Sequence, residues 1–224
     1  MSVLEIANER IDGEEIDASK FEFIRIVESE IANLTVRGVS GKFNFGDGFK
    51  KSRFERCKIL DGRISDLSLG LADFVDCEFV NCDIANIDSR EANLLNCRFS
   101  GRIRKGIMFP RHGDAAEAHG PAIVDGNDFS ECAIEESIFR GGIDLHRQKF
   151  KSDGSAILED GAEFLRRAQE HFVNRKPTNA LRVWMGFVEW YVTRYNQNTI
   201  FVPFEKMKAI GSEIAPFLDL YVAT

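Results

Sequence analysis

The sequence lacks the features that define several large protein classes. No stretch of its 224 residues approaches the ~20 apolar residues that a membrane span needs. Its opening, MSVLEIANERIDGEE, carries acids where a secretory signal has a basic n-region and contains no apolar h-region. An ordinary signal peptide is therefore excluded, and the cytoplasm is the expected compartment. Base is not in excess: 29 Lys+Arg face 36 Asp+Glu, a formal charge of −7, which disfavours a nonspecific binder of nucleic acid. Catalytic signatures are missing too, with no GxSxG, no P-loop, no HExxH and no GxGxxG placed after a strand. Tryptophan (2) and tyrosine (3) are scarce, yet phenylalanine numbers 19, so the aromatic content is concentrated in one side chain. At 44% apolar and 29% charged, the chain is neither disordered nor fibrous. Its length suits one large domain, or one domain with a smaller partner.

The phenylalanines are periodic. From Ser52 to Gly101 the chain divides into ten fives. Their third positions are Phe54, Ile59, Ile64, Leu69, Phe74, Phe79, Ile84, Ser89, Leu94 and Phe99, all large and apolar except Ser89. Their first positions are small in all but two cases, Leu67 and Ile87. A helix repeats its apolar residues near 3.6 and a strand near 2, so neither explains this spacing. The chain turns every five residues. Each of the five cysteines, Cys57, Cys77, Cys82, Cys97 and Cys132, stands two residues before a large apolar position, as expected of a small side chain filling an interior. Cys57, Cys77 and Cys97 are twenty apart, as are Phe54, Phe74 and Leu94, so four fives make one coil.

Ala32-Asn33-Leu34, Ala72-Asp73-Phe74 and Ala92-Asn93-Leu94, with Cys77-Glu78-Phe79 and Cys97-Arg98-Phe99 as variants, resemble the motif of the pentapeptide repeat proteins. The resemblance implies a right-handed quadrilateral β-helix with one face per five residues and both the large and the preceding small residue pointing inward. On that fold, coils stack at ~4.8 Å and side chains form columns, Phe54-Phe74-Leu94 and Ile59-Phe79-Phe99 among them. Thiols in such columns are expected to be reduced and inert.

The fives predict three regions: an acidic segment 1–17, a β-helix over 18–150, and a helical cap over 151–224. Within the β-helix an irregular corner is expected at Phe43 to Gly48, where the frame slips. Residues 102–125 carry Gly and Pro and no fives, which predicts a projecting loop. The pattern returns at Phe129, Ile134 and Phe139. Beyond it, Phe164, Leu165, Ala168 and Phe172, then Leu181, Trp184, Val188, Tyr191 and Tyr195, recur at helical spacing, and Pro203 suits the start of a third helix. These helices are expected to cap the coil, with dimerisation or partner docking through Trp184, Trp190 and Tyr191 as the alternative.

Nothing in the pattern supports catalysis, a cofactor or a metal. A weaker reading gives a metal-binding or enzymatic role to His112, Asp114, Glu117 and His119 of the loop. The leading expectation is a non-enzymatic protein-interaction module of the bacterial cytoplasm, a stoichiometric binder or a protective or immunity-type factor. Its specificity is assigned to the loop, where Arg102, Arg104, Lys105 and Arg111 surround Met108 and Phe109, and to the helical end. The resemblance also implies an alternative, modulation of DNA gyrase or another topoisomerase by DNA mimicry. Residues 31–101 weaken it, because ten acids there meet ten bases. The surplus acid lies in residues 1–30, where nine acids meet Arg10, Lys20 and Arg25.

Overall fold

A chain that turns every five residues needs a corner conformation at each turn. The computed structural model, which describes residues 2–46, 50–108, 122–151 and 155–223, shows how the corners are made. Left-handed backbone recurs at Asn8, Glu28, Asn33, Arg56, Asp61, Asp76, Asn81, Asn96, Lys105 and Glu136, with φ between 48° and 59°. Asn and Asp dominate because their short polar side chains tolerate this region better than other residues with a Cβ. Between corners the chain runs as short strands, each paired in parallel with the strand one coil away, forming a β-solenoid. One wall stacks six strands and a larger sheet of thirteen wraps the others.

Register fixes what meets inside. Phe54 pairs with Phe74 and Phe74 with Leu94, while Ile59, Phe79 and Phe99 form a second column. The rings of Phe54 and Phe74 stack at 4.7 Å, those of Phe79 and Phe99 at 4.7 Å, and Phe99 continues onto Phe129 at 4.8 Å. Burial of these rings is the main drive for stacking, and offset aromatic contact adds to it. Ile64, Ile84, Phe139 and all five cysteines are buried with them, and Ile134 is half-buried. Where Ser89 breaks the large-residue column, Leu67, Leu69 and Ile87 are all buried and fill the space.

The solenoid begins earlier than residue 18. Its first coil is β1 (Val3–Ala7), β2 (Arg10–Asp12) and β3 (Glu15–Asp17), paired with strands at Phe23–Val27, Glu30–Ala32 and Thr35–Arg37. Ile6, Ile11 and Ile16 extend backward the fives of Phe21, Ile26, Ile31 and Val36, a frame that the surrounding acids obscure. Ser40–Phe45, expected as an irregular corner from Phe43, is a regular strand. The irregularity is a shift of pairing between Ile64 and Asp66, and residues 47–49 lie outside the described residues.

The predicted loop also changes. Arg98–Arg104 and Gly106–Met108 are wall strands. The reason is a slip of one residue: Phe79 pairs with Phe99, but Cys82 pairs with Gly101 and Ile84 with Ile103. Gly101 makes the slip feasible, with φ of 101° and no room for a Cβ beside the Cys82 carbonyl. Ile103 and Met108 then keep the fives in the new frame, both buried. Residues 109–121 lie outside the described residues.

After the coil, α1 (Gly161–His171), α2 (Asn179–Tyr195) and α3 (Phe204–Ile210) follow, with a 3-10 segment at Gly211–Leu220. Asp160 caps α1 by accepting from the Glu163 N–H at 2.9 Å, and Thr178 caps α2 by accepting from Leu181 at 3.3 Å. The third expected helix is only seven residues of α-helix, since Gly211 ends it with a positive φ and Pro216 follows. A small antiparallel sheet was not foreseen: Ser155–Leu158 lies between Ile200–Pro203 and Tyr221–Ala223. Its two faces differ. Ile157 and Phe201 join the coil's core, while Leu158, Ile200 and Val202 join the core of the helices.

Candidate interaction surfaces

An interior filled by stacked rings leaves chemistry to the outside and the ends. Outside, two wall columns alternate in charge from coil to coil. Lys58, Glu78, Arg98, Asp128 and Lys149 stand in register along one wall. Arg10, Glu30, Arg53 and Asp73 do so along another. Ion pairs follow, at 3.2 Å for Lys58 with Glu78 and 2.6 Å for Lys51 with Asp73. Asn side chains add polar ladders, Asn33 donating to Asp12 and Asn93 to Asp73, both at 2.6 Å. No acid stripe runs along the columns described, because each rung cancels its neighbour. Over the small side chain of Ala32 the wall has an open groove of about 250 Å³, rimmed by Arg10, Asp12, Glu30, Arg53 and Glu55. Its rim charges pair among themselves, Arg10 with Glu30 at 3.9 Å and Arg53 with Glu55 at 3.4 Å.

Of the six residues assigned to a partner-binding loop, the four that are described belong to the wall of the coil. Arg102 pairs with Glu135 at 3.6 Å and Arg104 with Asp83 at 2.9 Å, both as rungs of the wall. Lys105 is a left-handed corner whose N–H donates to the Glu135 carbonyl. Met108 points inward and is buried. Phe109 and Arg111 lie outside the described residues, as do His112, Asp114, Glu117 and His119. Among the described residues, no group of three or more His, Cys, Asp or Glu side chains is placed to hold a metal ion.

The thiols face inward as well. Cys77 donates to the Phe54 carbonyl of the coil below at 3.5 Å, and Cys82 to that of Ile59 at 3.5 Å. All five are free thiols. Burial pushes Cys82 up to about 11 and Cys132 up to about 12, which keeps both protonated and unreactive at neutral pH.

At the helical end, the three aromatic residues singled out from the sequence divide. Trp184 and Tyr191 are core, Trp184 donating to the Tyr221 hydroxyl at 3.1 Å. Trp190 is 38% exposed and shares an outward helical stripe with half-buried Phe187 and with Val183, which is 57% exposed. Arg140, from the last coil, lies over the rings of Trp190 and Tyr195 and donates to the Tyr195 hydroxyl at 2.9 Å. The stripe is thereby held against the end of the coil.

The last coil is closed by polar side chains that the sequence reading passed over. Asn127 takes the next place after Cys97 in the small column and is fully buried, donating to the Leu94 carbonyl and accepting from the Cys97 N–H. Gln148 accepts from Asn127 through both backbone and side-chain N–H and donates to the Val124 and Asp144 carbonyls. Gln197 donates to the Phe139 carbonyl at 3.2 Å. These amides supply partners that a further coil would otherwise provide. Their only sequence signal is a polar residue where the repeat calls for a small apolar one, as at Asn127.

At the other end, the outer edges of β1, β2 and β3 have no strand beside them among the described residues. Leu4, Ile6, Ile11 and Ile16 are only half-buried there, whereas Ile24, Ile26, Ile31 and Val36, one coil inward, are at most 2% exposed. Among the described residues no helix is long and apolar enough to cross a membrane. Comparison with protein-family models and with curated proteins finds nothing that matches this chain.

Proposed function

We propose that this chain is a pentapeptide-repeat protein, a right-handed quadrilateral coil, acting as a non-enzymatic protein-interaction module that binds its partner stoichiometrically. The observation that carries the reading is the outward stripe of Val183, Phe187 and Trp190 on α2, in which Arg140 lies over the Trp190 ring. Exposed aromatic residues of this kind are enriched at interfaces and serve as anchors there. The packed interior supports the same reading, because columns of phenylalanine leave no space for a substrate. Alternation of charge along the walls weighs against DNA mimicry, which needs an extended line of negative charge. A protective or immunity-type role fits a binder of this class, and a second copy docking through α2 would be one such complex.

Two measurements test the proposal. Gyrase supercoiling, titrated with the chain with and without a quinolone, is expected to be unchanged; inhibition or protection at stoichiometric protein would replace this reading with topoisomerase modulation. Capture of protein partners is expected to be lost in the Val183→Ser, Trp190→Ala double variant while its melting temperature is kept. Retention of the same partners by that variant would remove α2 from the interface.

A further inference from the structure

The open end of the coil has a chemistry of its own, apart from the helical end. Among the described residues, its first coil offers three strand edges with no neighbour above a ring of half-buried apolar side chains. An uncovered edge above an apolar ring is a template for one more strand. The ladder states which strand. In the columns that start from β1 and β3, Glu5 faces Arg25 and Asp17 faces Arg37, so each of these two acids is followed one coil inward by a base. Extended one step outward from β1 and β3, the same lattice places a cation opposite Glu5 and another opposite Asp17. Glu9, Glu14 and Glu15 add to the negative field on this side, and residues 2–21 hold six acids against Arg10 and Lys20.

We infer that the edge of β1 binds a basic strand of a partner protein. Lys or Arg would alternate with small apolar residues, the cations opposing Glu5 and the apolar side chains covering Leu4 and Ile6. Backbone hydrogen bonds give affinity, and the sign of the rung gives selectivity. A second copy stacked end to end is the wrong occupant, because it sets an acidic ring against an acidic ring.

The test uses the full chain, labelled with 15N, and three peptides of about ten residues, a common strand length. The first alternates Lys with Val, the second replaces Lys by Glu, and the third is the first with its alternate amides N-methylated. The Lys peptide is expected to shift the amides of Val3–Asp17 and to bind at least about tenfold more tightly than the Glu peptide. The N-methylated peptide is expected to lose that binding, since it keeps the charge but not the N–H groups. A Glu5→Lys, Asp17→Lys variant that melts like the parent is expected to reverse the preference. Shifts confined to residues outside the first coil would overturn the inference. So would equal binding of the N-methylated peptide, which would reduce the effect to charge alone. Sedimentation of the chain by itself as a dimer with protected first-coil amides would overturn it in favour of a second copy.

Discussion

The solenoid has two ends built from one repeat, and they are finished in opposite ways. At the helical end, Phe129 and Phe139 are covered by Phe150 and Phe201, with ring centroids 5.8 Å apart for Phe129 with Phe150 and 5.1 Å for Phe139 with Phe201. Gln148 and Gln197 occupy backbone groups there. At the first coil, Leu4, Ile6, Ile11 and Ile16 are only half-buried, and among the described residues no strand lies beside the outer edges. A repeat does not encode its own termination. Closing a coil takes side chains that break the repeat, and among the described residues they stand at the helical end. A bare end carries a free-energy cost in unburied apolar surface, and acids around it keep it from stacking on itself.

The largest test of the contrast is Phe201→Ala. Phe201 is the one side chain of its strand that faces the coil, and removing its ring opens a cavity over Phe139 and Phe150. Loss of about 3–5 kcal/mol is expected, read from urea unfolding. A smaller loss would mean that the cap sheet does not seal the coil.

Next comes a matched pair. Ile11 and Ile31 are neighbours in one column, one coil apart, but Ile31 is 2% exposed and Ile11 is half-buried. Ile31→Ala should cost about 2–5 kcal/mol and Ile11→Ala clearly less, because water already reaches its site. Equal costs would mean that something covers the first coil in solution.

How far these ends could be read beforehand depends on the repeat. From Ser52 to Gly101 one large residue in five must enter the core, so Phe54, Phe74 and Phe79 announce both fold and register. Wherever the frame slips, the signal splits into short pieces. Ile103 and Met108 kept the fives but began one residue early, and so residues 102–108 of the wall were counted with the loop. Ile6, Ile11 and Ile16 were hidden by acids that the ladder itself requires. The helices were legible through Leu181, Trp184, Val188 and Tyr191 at helical spacing. The cap sheet was not, because a four-residue strand with apolar residues on both faces has no period of its own. Helical spacing puts buried Trp184 on the stripe of Leu181 and Val188 and exposed Trp190 off it, but spacing does not say what an exposed ring meets.

The thiols give a pH dependence that falls mainly on the middle of the coil. Burial pushes the Cys82 thiol up to about 11 and that of Cys132 up to about 12 when folded, while thiols of the unfolded chain keep the ordinary value of 9.0. Between those values the unfolded chain has released protons that the folded chain keeps, so stability falls as pH rises above about 9. Each thiol contributes up to about 1.4 kcal/mol per pH unit in that window. Cys82→Ala, Cys132→Ala should lower stability at neutral pH and flatten the alkaline slope. An unchanged slope would assign the alkaline loss to other groups.

The smallest effect on stability discriminates best between the ends. Arg37 pairs with Glu15 of the first coil at 2.7 Å, and Lys58 pairs with Glu78 of the wall at 3.2 Å, both pairs exposed. Arg37→Ala and Lys58→Ala should each change stability by no more than about 1 kcal/mol, and less at high salt, since exposed pairs are screened and gain little. Their consequences for binding should differ. Without Arg37 the acids of β3 lose their inner counter-charge, the negative field of the first coil around the peptide on β1 grows, and the Lys-Val peptide should bind more tightly. Without Lys58 the freed acid lies three coils from the open end, beyond about one Debye length, and peptide affinity should hold steady. Equal gains in the two variants would mean that the peptide senses net charge and not the rung it is paired with.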